Sequence, residues 1–245
     1  MAMAFIPAKG TSQRVPEKNL RKLGSRNLVQ RSLDFANAIN EITTIVLSTD
    51  SLNIVEACEP FRSMARDFQN LEAGGFLSSG KWILHKRRNK DASPTARTID
   101  AVLDFFDSYI GSETDFVLLQ PTSPFRLITE WEEMHKIFLE GPTSLFSVHS
   151  LDSTHPKKSF QLLSSKSPDL NSEVISYLSS PAQILGQYFA PDGAFYFNRI
   201  SQLLNAKSFI DLNSRIVVRN GVVTVNIDTE DDFLFAEYAA HRFNL

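Results

Sequence analysis

Residues 4–19 of the chain read AFIPAKGTSQRVPEKN. In this stretch an apolar run breaks into a loop that contains Gly10, two hydroxyl side chains and the three cations Lys9, Arg14 and Lys18. Backbone N–H groups of a small-residue loop can surround a polyphosphate, whose charge such cations neutralise. A solvated basic turn is the plainer interpretation. The position directly after a first apolar strand, where α/β folds bind ligands, favours a phosphate site.

The composition is that of a globular protein. The 245 residues are 42% hydrophobic, which is enough for one α/β domain and a smaller appendage, and the formal net charge is −3. Proteins that bind nucleic acid or anionic membranes usually carry a basic excess, so we expect neither partner. Cys58 is the only cysteine, which excludes an intrachain disulfide. With no signal-like or membrane-spanning stretch in the sequence, we expect a cytoplasmic protein.

Strand and helix patterns alternate through the first half of the chain. Apolar runs predict strands at residues 3–7, 44–47, 82–84, 116–119, 144–148 and 222–228. Helical spacing predicts helices at residues 27–39, from 52, at 95–110 and 128–140, and after Thr229. This alternation predicts an α/β fold in which a mostly parallel sheet carries helices on both faces. The stretch from 59 to 80, which is rich in breakers, receives no assignment.

Two groups of aspartates have structural rather than catalytic interpretations. Asp50 follows the second predicted strand, and either Asp50 or Ser51 can cap the helix that begins near Leu52, so we favour a cap over a catalytic role for Asp50. Asp100, Asp104 and Asp107 lie at helical spacing, opposite the apolar face of their predicted helix. They predict a solvated helix surface and not a metal site.

The most strand-like run, residues 116–119, leads into Gln120-Pro121-Thr122-Ser123-Pro124-Phe125-Arg126. Two prolines bracket two hydroxyl side chains in this turn and stiffen it, which holds its side chains at the carboxyl edge of the predicted sheet. Such rigid placement favours a binding loop. The alternative is a proline-stiffened connection with Arg126 in a surface pair.

Both turns resemble motifs of the acylneuraminate cytidylyltransferases, also called CMP-sialic acid synthetases. The residues of the first turn that match the family pattern are Ala8, Ser12, Pro16, Lys18 and Asn19. Lys9 and Gln13 stand where the family has arginine and lysine. The second turn matches the family's Leu-Leu-Gln-Pro-Thr-Ser-Pro-Leu-Arg at nearly every position. The resemblance implies a fold like that of the nucleotide-diphospho-sugar transferases.

The resemblance also implies a reaction, in which a sugar hydroxyl attacks the α-phosphate of CTP and pyrophosphate leaves. Such a transfer depends mainly on alignment, on Mg²⁺ and on cations at the leaving phosphates. The residues at catalytic positions are Lys18, Lys9 and Asp228, and those at nucleotide-binding positions are Ala8, Gly10, Ser12, Arg14, Asn19, Arg87 and Ser123.

In the family, an Asp-x-Asp pair holds Mg²⁺ against the nucleotide phosphates. Here the pair reads Asn226 and Asp228. Alternation along the predicted strand puts both side chains on one face. The amide removes one negative charge, and its oxygen binds a hard cation more weakly than a carboxylate does.

The second substrate that the resemblance implies is an acidic sugar. The residues matched to its pocket are Gln120, Thr122, Lys158, Gln183, Phe189, Tyr196 and Phe209. Ala182 stands where the sialic-acid enzymes carry an arginine, and Pro94, Ala190 and Asp192 also depart from the family pattern. The lost arginine implies either a different acid or a carboxylate that is met by Lys158 or Arg126.

Residues 149–185 shift to Ser, Pro and Lys with weak periodicity, which predicts an inserted arm. The nucleotide-binding α/β domain then comprises residues 1–148 and 186–245. In the resembling family the arm exchanges between the subunits of a homodimer, so we expect a dimer in which Lys158 reaches the partner's substrate. We interpret His155 as a turn-forming residue, because no metal-ligand companion is spaced around it.

Three functional hypotheses remain open. The leading one is a cytidylyltransferase that activates a nonulosonic acid, such as a sialic, legionaminic or pseudaminic acid. The second is a related nucleotidyltransferase that uses another nucleotide or sugar, and the changes at Lys9, Gln13, Ala182 and Asn226 keep it open. The third is a catalytically weak homologue that binds nucleotide or pairs with an active subunit.

Overall fold

The computed structural model describes residues 1–12, 14–93, 95–151, 155–164, 167–220 and 223–243. Gln13 and Pro94, two of the departures from the family pattern, lie outside the described residues. The described strands are β1 Ala2–Ala8, β2 Lys22–Leu23, β3 Arg26–Asn27, β4 Ile42–Thr49, β5 Phe76–Ser79, β6 Trp82–Lys86, β7 Asp115–Leu118, β8 Ser144–Ser150, β9 Leu162–Ser164, β10 Ser167–Pro168, β11 Phe189–Arg199 and β12 Arg215–Val218.

Helices alternate with these strands. The described α-helices are α1 Leu28–Ala38, α2 Leu52–Ala57, α3 Ala65–Asn70, α4 Asn89–Ala92, α5 Thr98–Ser108, α6 Ile128–Leu139, α7 Ser172–Ser179, α8 Ile200–Ala206 and α9 Glu230–Phe243. The described 3₁₀ helices are η1 Lys18–Leu20, η2 Glu59–Met64, η3 Pro156–Lys158 and η4 Ala182–Ile184. None of the helices in the described part of the chain is long and apolar enough to span a membrane.

An eight-stranded sheet with the order β12-β8-β11-β7-β1-β4-β6-β5 forms the centre of the molecule. Neighbouring strands pair in parallel except around β11 and β5, which run antiparallel to their neighbours. The predicted α/β fold with a mostly parallel sheet is therefore confirmed. Because β4 follows β1 on one side and β7 returns on the other, the strand order reverses at β1. Such a switch point leaves a crevice at the carboxyl end of the strand.

The core lies on both faces of the sheet. On one face, Ile6 of β1 belongs to an apolar cluster with Leu33 of α1 and Trp131 of α6. On the other face, Phe5 packs in a cluster with Phe105 of α5. Neighbouring side chains of β1 thus enter opposite clusters, as the alternation of a strand requires.

The stretch from 59 to 80 is more ordered than its breakers indicated. It forms η2, α3 and the edge strand β5, and it buries Phe61, Met64 and Phe68 in the core. Nearby Cys58 is buried as well, and burial raises the pKa of its thiol to about 12. The apolar residues of this stretch pack against elements that are distant in the sequence. Local periodicity therefore could not predict these helices and this strand.

The prediction of a final strand at 222–228 is wrong. The last strand in the described part of the chain is β12, which pairs in parallel with β8, whereas the described residues 223–228 belong to no strand. Val225 and Ile227 are nevertheless buried, in an apolar cluster with Phe233 of α9. The alternating pattern therefore reflects packing against α9 rather than pairing in a sheet.

The prediction of a solvated aspartate face on α5 is wrong for Asp104. Its side chain is buried, and its carboxylate lies 3.3 Å from His85 Nε2 and 2.8 Å from Arg88 Nη1. Asp104 is buried because α5 packs against the strand that carries His85. Asp100 instead pairs with Arg97 near the surface.

A buried ion network joins α6, β11 and the end of β12. Arg219 Nη1 donates to Asp192 Oδ2 at 3.0 Å, and its Nε and Nη2 donate to the carboxylate of Glu130 at 2.8 and 2.9 Å. Asp192 Oδ1 accepts the Ala194 N–H at 2.9 Å. The aspartate that stands where the family has asparagine is therefore neutralised by an arginine of this chain.

The substitution Arg219→Met should lower the free energy of unfolding by about 3–5 kcal/mol, because it leaves the buried carboxylates without their cation. Adding Asp192→Asn should recover part of that loss, because one unpaired charge is removed. Urea denaturation of the single and double variants measures both effects. A loss below about 1 kcal/mol, typical of an exposed ion pair, would show that the network does not stabilise the fold.

Candidate active site

An open cavity of about 490 Å³ lies where the carboxyl ends of β1, β6 and β7 meet the segment before α9. Its lining residues are Pro7, Lys9, Thr11, Ser12, Arg14, Lys18, Asn19, Arg87, Ala96, Thr98, Gln120, Pro121, Thr122, Asn226 and Asp228. The two turns singled out in the sequence and the 226–228 pair thus meet in one cavity. Ala96 and Thr98, which precede and begin α5, were not identified from sequence, because no local signal marks them.

The first turn is held in place by hydrogen bonds across the sheet edge. The Gly10 N–H donates to Asp50 Oδ1 at 2.8 Å, and Asn19 Nδ2 donates to the Lys9 carbonyl at 2.8 Å. A Cβ on Gly10 would lie 2.6 Å from the Cβ of Ser51, so the close approach requires glycine. Asp50 is therefore not the cap of α2; Ser51 takes that role by accepting the Ile54 N–H. Asp50 faces the first turn instead.

Lys9 connects the first turn to the segment before α5. Its Nζ donates to the carbonyl oxygens of Ser93 at 2.7 Å and Ala96 at 3.1 Å. Burial, followed by the charge of Arg87, lowers the pKa of Lys9. The lysine that replaces the family's arginine therefore joins two walls of the cavity as well as contributing its charge.

Lys18 and Arg14 meet the carboxylate of Asp228. Lys18 Nζ lies 3.2 Å from Asp228 Oδ1 and donates to the Ile227 carbonyl at 2.7 Å. Arg14 Nη2 lies 3.1 Å from the same oxygen. The Lys18 side chain is 13% exposed and that of Arg14 is 66% exposed. Lys18 is therefore a fixed cation of the wall, whereas Arg14 lies largely in solvent at the mouth.

Asp228 is positioned by the start of α9. Asp232 Oδ2 accepts the N–H groups of Asp228 at 2.9 Å and Thr229 at 2.8 Å. Thr229 Oγ1 in turn accepts the Asp232 N–H at 3.2 Å, which is the reciprocal cap that the sequence predicted. Among the described lining residues, Asp228 is the one carboxylate, and Asn226 is exposed beside it.

Asp228 and Asn226 could supply some, but not all, of the ligands of a Mg²⁺ ion. The described residues contain no group of three or more histidine, cysteine, aspartate or glutamate side chains that could hold a metal. Mg²⁺ commonly takes one or two carboxylates from a protein and completes its octahedron with water and substrate phosphates. Asp228 with the amide oxygen of Asn226 matches that limited role.

Arg87 approaches the cavity from behind the sheet edge. The residue is buried, and its Nε donates to the Ser48 carbonyl at 3.2 Å and to Ser48 Oγ at 3.0 Å. Its Nη2 has no hydrogen-bond partner within the described part of the chain. Burial lowers the pKa of Arg87 to about 10, against the opposing charges of Asp50 and Asp91. The guanidinium therefore stays charged at neutral pH with a donor to spare.

The second turn contributes Gln120 and Thr122 to the cavity wall. The Thr122 carbonyl accepts the Ile227 N–H at 2.8 Å, which joins this turn to the segment that carries Asp228. Arg126 supports the turn from inside, because its Nη2 donates to the Gln120 carbonyl and its Nε to the Ala194 carbonyl.

The expectation that Arg126 could meet a substrate carboxylate is not supported. Its remaining guanidinium nitrogen, Nη1, lies 3.3 Å from Ser32 Oγ, so every nitrogen of the group has a partner within the protein. Burial lowers the pKa of Arg126 to about 9. Arg126 is therefore part of the framework of the second turn.

Ser123 and Ala8 lie behind the cavity. Both are buried, and neither is among its lining residues. Ser123 Oγ donates to the Asp192 carbonyl at 2.7 Å. Gly193 follows Asp192 with a φ of +79°, and a Cβ there would lie 2.5 Å from Ser123 Oγ and 2.7 Å from Gln120 Oε1. The absence of a side chain at Gly193 lets β11 approach the second turn closely enough to set the position of Gln120.

A second cavity of about 300 Å³ shares Thr98 and Gln120 with the first. Tyr196 and Phe209 lie in its wall, as does Arg97. Burial raises the pKa of the Tyr196 hydroxyl to about 12, so this group is neutral at physiological pH. Three residues matched to the sugar pocket, Gln120, Tyr196 and Phe209, are thus brought together beside the main cavity.

Three further residues matched to the sugar pocket lie on the arm or just after it. Gln183 lines a third cavity of about 360 Å³ with Ala182 and His155, whereas Lys158 belongs to η3 and Phe189 begins β11. None of the three matched residues lines the main cavity of the same chain. His155 Nδ1 accepts the Lys157 N–H at 3.3 Å, so this histidine closes a turn, as the sequence predicted.

Residues 3–70 match a family model described as "Cytidylyltransferase". The CMP-N,N'-diacetyllegionaminic acid synthase of Legionella pneumophila is 26% identical over 96% of this chain and 94% of its own length. The pseudaminic acid cytidylyltransferase of Campylobacter jejuni is 22% identical over 96% of this chain and 94% of its own. The N-acylneuraminate cytidylyltransferase of Streptococcus agalactiae is 25% identical, and the match spans 54% of that longer protein.

Solved structures with little sequence similarity share the fold. A CMP:2-keto-3-deoxy-manno-octonic acid synthetase complexed with CTP superposes with a TM-score of 0.63 at 14% identity, covering 99% of each chain. The 4-diphosphocytidyl-2C-methyl-D-erythritol synthase of Anaerococcus prevotii gives a TM-score of 0.59 at 11% identity, over 98% of this chain and 96% of its own.

Fold, cavity and relatives together define the chain as a nucleotidyltransferase of the cytidylyltransferase type. Within that class, the relatives support the family that the motifs indicated, the CMP-sialic acid synthetases.

The substitution Gly193→Ala should destabilise the protein more than Gly80→Ala does. Both glycines have positive φ, +79° and +60°, so both variants incur left-handed strain of about 1–2 kcal/mol. Only the Cβ at 193 collides with Gln120 and Ser123, whereas the space around Gly80 is open. Urea denaturation gives the two free energies of unfolding. Equal losses of unfolding free energy in the two variants would show that the close approach of β11 to the second turn does not affect stability.

Proposed function

We propose that this protein transfers CMP from CTP to a hydroxyl of an acidic sugar of the nonulosonic type, with release of pyrophosphate. The observation that carries the proposal is the convergence of four cations, Lys9, Arg14, Lys18 and Arg87, on one cavity. The single carboxylate among the described lining residues, Asp228, leaves a positive excess. That charge suits a triphosphate, and relatives spanning almost the whole chain have names that state CMP-sugar synthesis or cytidylyl transfer.

The phosphate end of the nucleotide is assigned to the first turn. Lys18 is held by the Ile227 carbonyl and Asp228, so its ammonium is already positioned before a substrate arrives. A fixed cation of this kind stabilises charge that develops on the leaving pyrophosphate without reorganisation. Arg14, more exposed, can leave Asp228 and follow the leaving group. Ser12 and Asn19 face the same cavity as further nucleotide contacts.

Mg²⁺ is assigned to Asp228 and Asn226. When held by these two residues, the ion would neutralise part of the charge of the nucleotide phosphates. In the structure, Asp228 Oδ1 is shared by Lys18 and Arg14. Both cations contact Oδ1, so Oδ2 of the same carboxylate is the oxygen that would be offered to a metal.

The acidic sugar is assigned to the second cavity, beside Gln120 and Tyr196. Both side chains can hydrogen-bond a polyhydroxylated or acylated sugar, and Phe209 provides an apolar wall. The shared residue Gln120 faces both cavities, so a sugar hydroxyl held there lies next to the nucleotide phosphates. A cytoplasmic location belongs to the same proposal.

We propose further that residues 149–185 form the arm of a homodimer. The described part of this arm exposes large apolar side chains, among them Phe160, Leu162, Leu163, Ile175 and Ile184. A monomer in water rarely leaves so many exposed on one segment, and a second copy would cover them. The proposal also accounts for Lys158, Gln183 and Phe189, which lie apart from the cavity of their own chain.

The function is tested by pyrophosphate release from CTP with a panel of sialic, legionaminic, pseudaminic and octulosonic acids. Release should require CTP, one of the nine-carbon acids and Mg²⁺, and EDTA should abolish it. Lys18→Met should lower turnover about a hundredfold or more, because it removes a fixed cation from the leaving phosphates. Lys22→Met, an exposed lysine on β2, is the matched control and should retain turnover. Release with none of the acids, or only with UTP or GTP, would contradict the proposal.

The dimer is tested by sedimentation equilibrium of the wild type and of Leu163→Glu. The wild type should sediment as a dimer, and the variant should shift toward monomer because a charge replaces an apolar contact. Leu234→Glu, which alters an exposed leucine of α9, is the control and should leave the dimer intact. A monomeric wild type would refute the arm assignment without affecting the assay of CTP.

A further inference from the structure

A line of buried polar groups runs from α5 to the cavity. Asp104 Oδ2 lies 3.3 Å from His85 Nε2, and His85 Nδ1 lies 3.0 Å from Ser48 Oγ. Ser48 Oγ then accepts a hydrogen bond from Arg87 Nε at 3.0 Å. The side chains of Asp104, His85 and Ser48 are almost completely inaccessible to solvent. Arg87 is thus the one member of the line that lines the cavity.

The chemistry of the groups determines the direction of each proton. The Asp104 carboxylate lies beside Nε2 without a hydrogen bond to it, and its charge favours the imidazole tautomer whose proton is on Nε2. Nδ1 is then an acceptor, and it takes the one proton of the Ser48 hydroxyl. The lone pairs of Ser48 Oγ are left to accept the N–H of Arg87.

Other surroundings keep His85 in this state. Burial and then the charges of Arg87 and Arg88 lower the pKa of His85 to about 3, so the ring is neutral at physiological pH. Arg88 Nη1 lies 2.8 Å from Asp104 Oδ1 and balances the carboxylate. The ring of Phe105 packs against the imidazole at a centroid distance of 5.5 Å. The neutral ring is thus held in one orientation.

We propose that Asp104 and His85 are positioning residues which, through Ser48, hold the guanidinium of Arg87 in place at the wall of the cavity assigned to the nucleotide. The inference rests on the proposed function for its ligand. Its physical basis is the isolation of Arg87, whose Nε bonds only to Ser48 while Nη2 has no partner in the described residues. A guanidinium anchored on one edge presents its other edge at low entropic cost.

His85→Phe tests the inference, because the aromatic packing with Phe105 is kept while the acceptor for Ser48 is lost. The Ser48 hydroxyl can then turn its proton toward Arg87 and weaken the anchor. We expect CTP, measured by calorimetry, to bind about tenfold more weakly. His85→Asn should recover most of the affinity, since its amide oxygen can take the place of Nδ1. The control is His135→Phe, a histidine stacked on Trp131 of α6, which should bind CTP as the wild type does.

A double-mutant cycle with Arg87→Met separates positioning from general structural damage. If His85 acts through Arg87, adding His85→Phe to Arg87→Met should change CTP affinity by less than about twofold. A second tenfold loss in that background would overturn the inference, because it would show an effect that does not pass through Arg87.

A readout without nucleotide keeps the inference distinct from the proposed function. Hydrogen exchange of the Arg87 Nε–H, followed by NMR and assigned by its loss in Arg87→Met, should be slow in the wild type and about tenfold faster in His85→Phe. Unchanged exchange would overturn the positioning role even if CTP binds. Faster exchange in a protein that does not bind CTP would support the positioning role and refute the proposed function.

Discussion

The ammonium group of Lys18 joins the two ends of the chain. It bonds to the Ile227 carbonyl and to Asp228 Oδ1, so the loop after β1 and the segment before α9 share one wall. The Ile227 N–H reaches the Thr122 carbonyl and adds the second turn to that wall. These contacts depend on β1 lying between β4 and β7, because the reversal of strand order there opens the crevice that the cations surround.

The cations around this crevice are not equivalent. Lys9 and Lys18 both donate to backbone carbonyls, so their charges are fixed parts of the wall. Arg87 is anchored from behind by Ser48, whereas Arg14 is exposed at the mouth. The arrangement combines preorganised charge for a bound phosphate with one exposed cation, which suits a reaction that begins with a triphosphate and ends with a departing pyrophosphate.

The contacts in the folded chain explain several positions that depart from the family pattern. Asp192 is neutralised by Arg219, and Lys9 donates through its ammonium to the Ser93 and Ala96 carbonyls. At Asn226 the amide lies beside Asp228, so the carboxylate charge at this end of the cavity is carried by one residue. A charge that looks misplaced in the sequence can therefore be balanced by a residue far along the chain.

The sequence alone determined the strand-helix alternation, the positions of β1, β4, β6, β7 and β8 to within a few residues, and the two turns that line the cavity. These features are local, because periodicity and turn chemistry act over a few neighbouring residues. Only the tertiary structure decided that Asp104 is buried against His85, that Arg126 supports the second turn from inside, and that residues 223–228 pack against α9 without entering the sheet. The partners of these groups lie far away in the chain, and whether a polar side chain is solvated or buried depends on what the fold places against it.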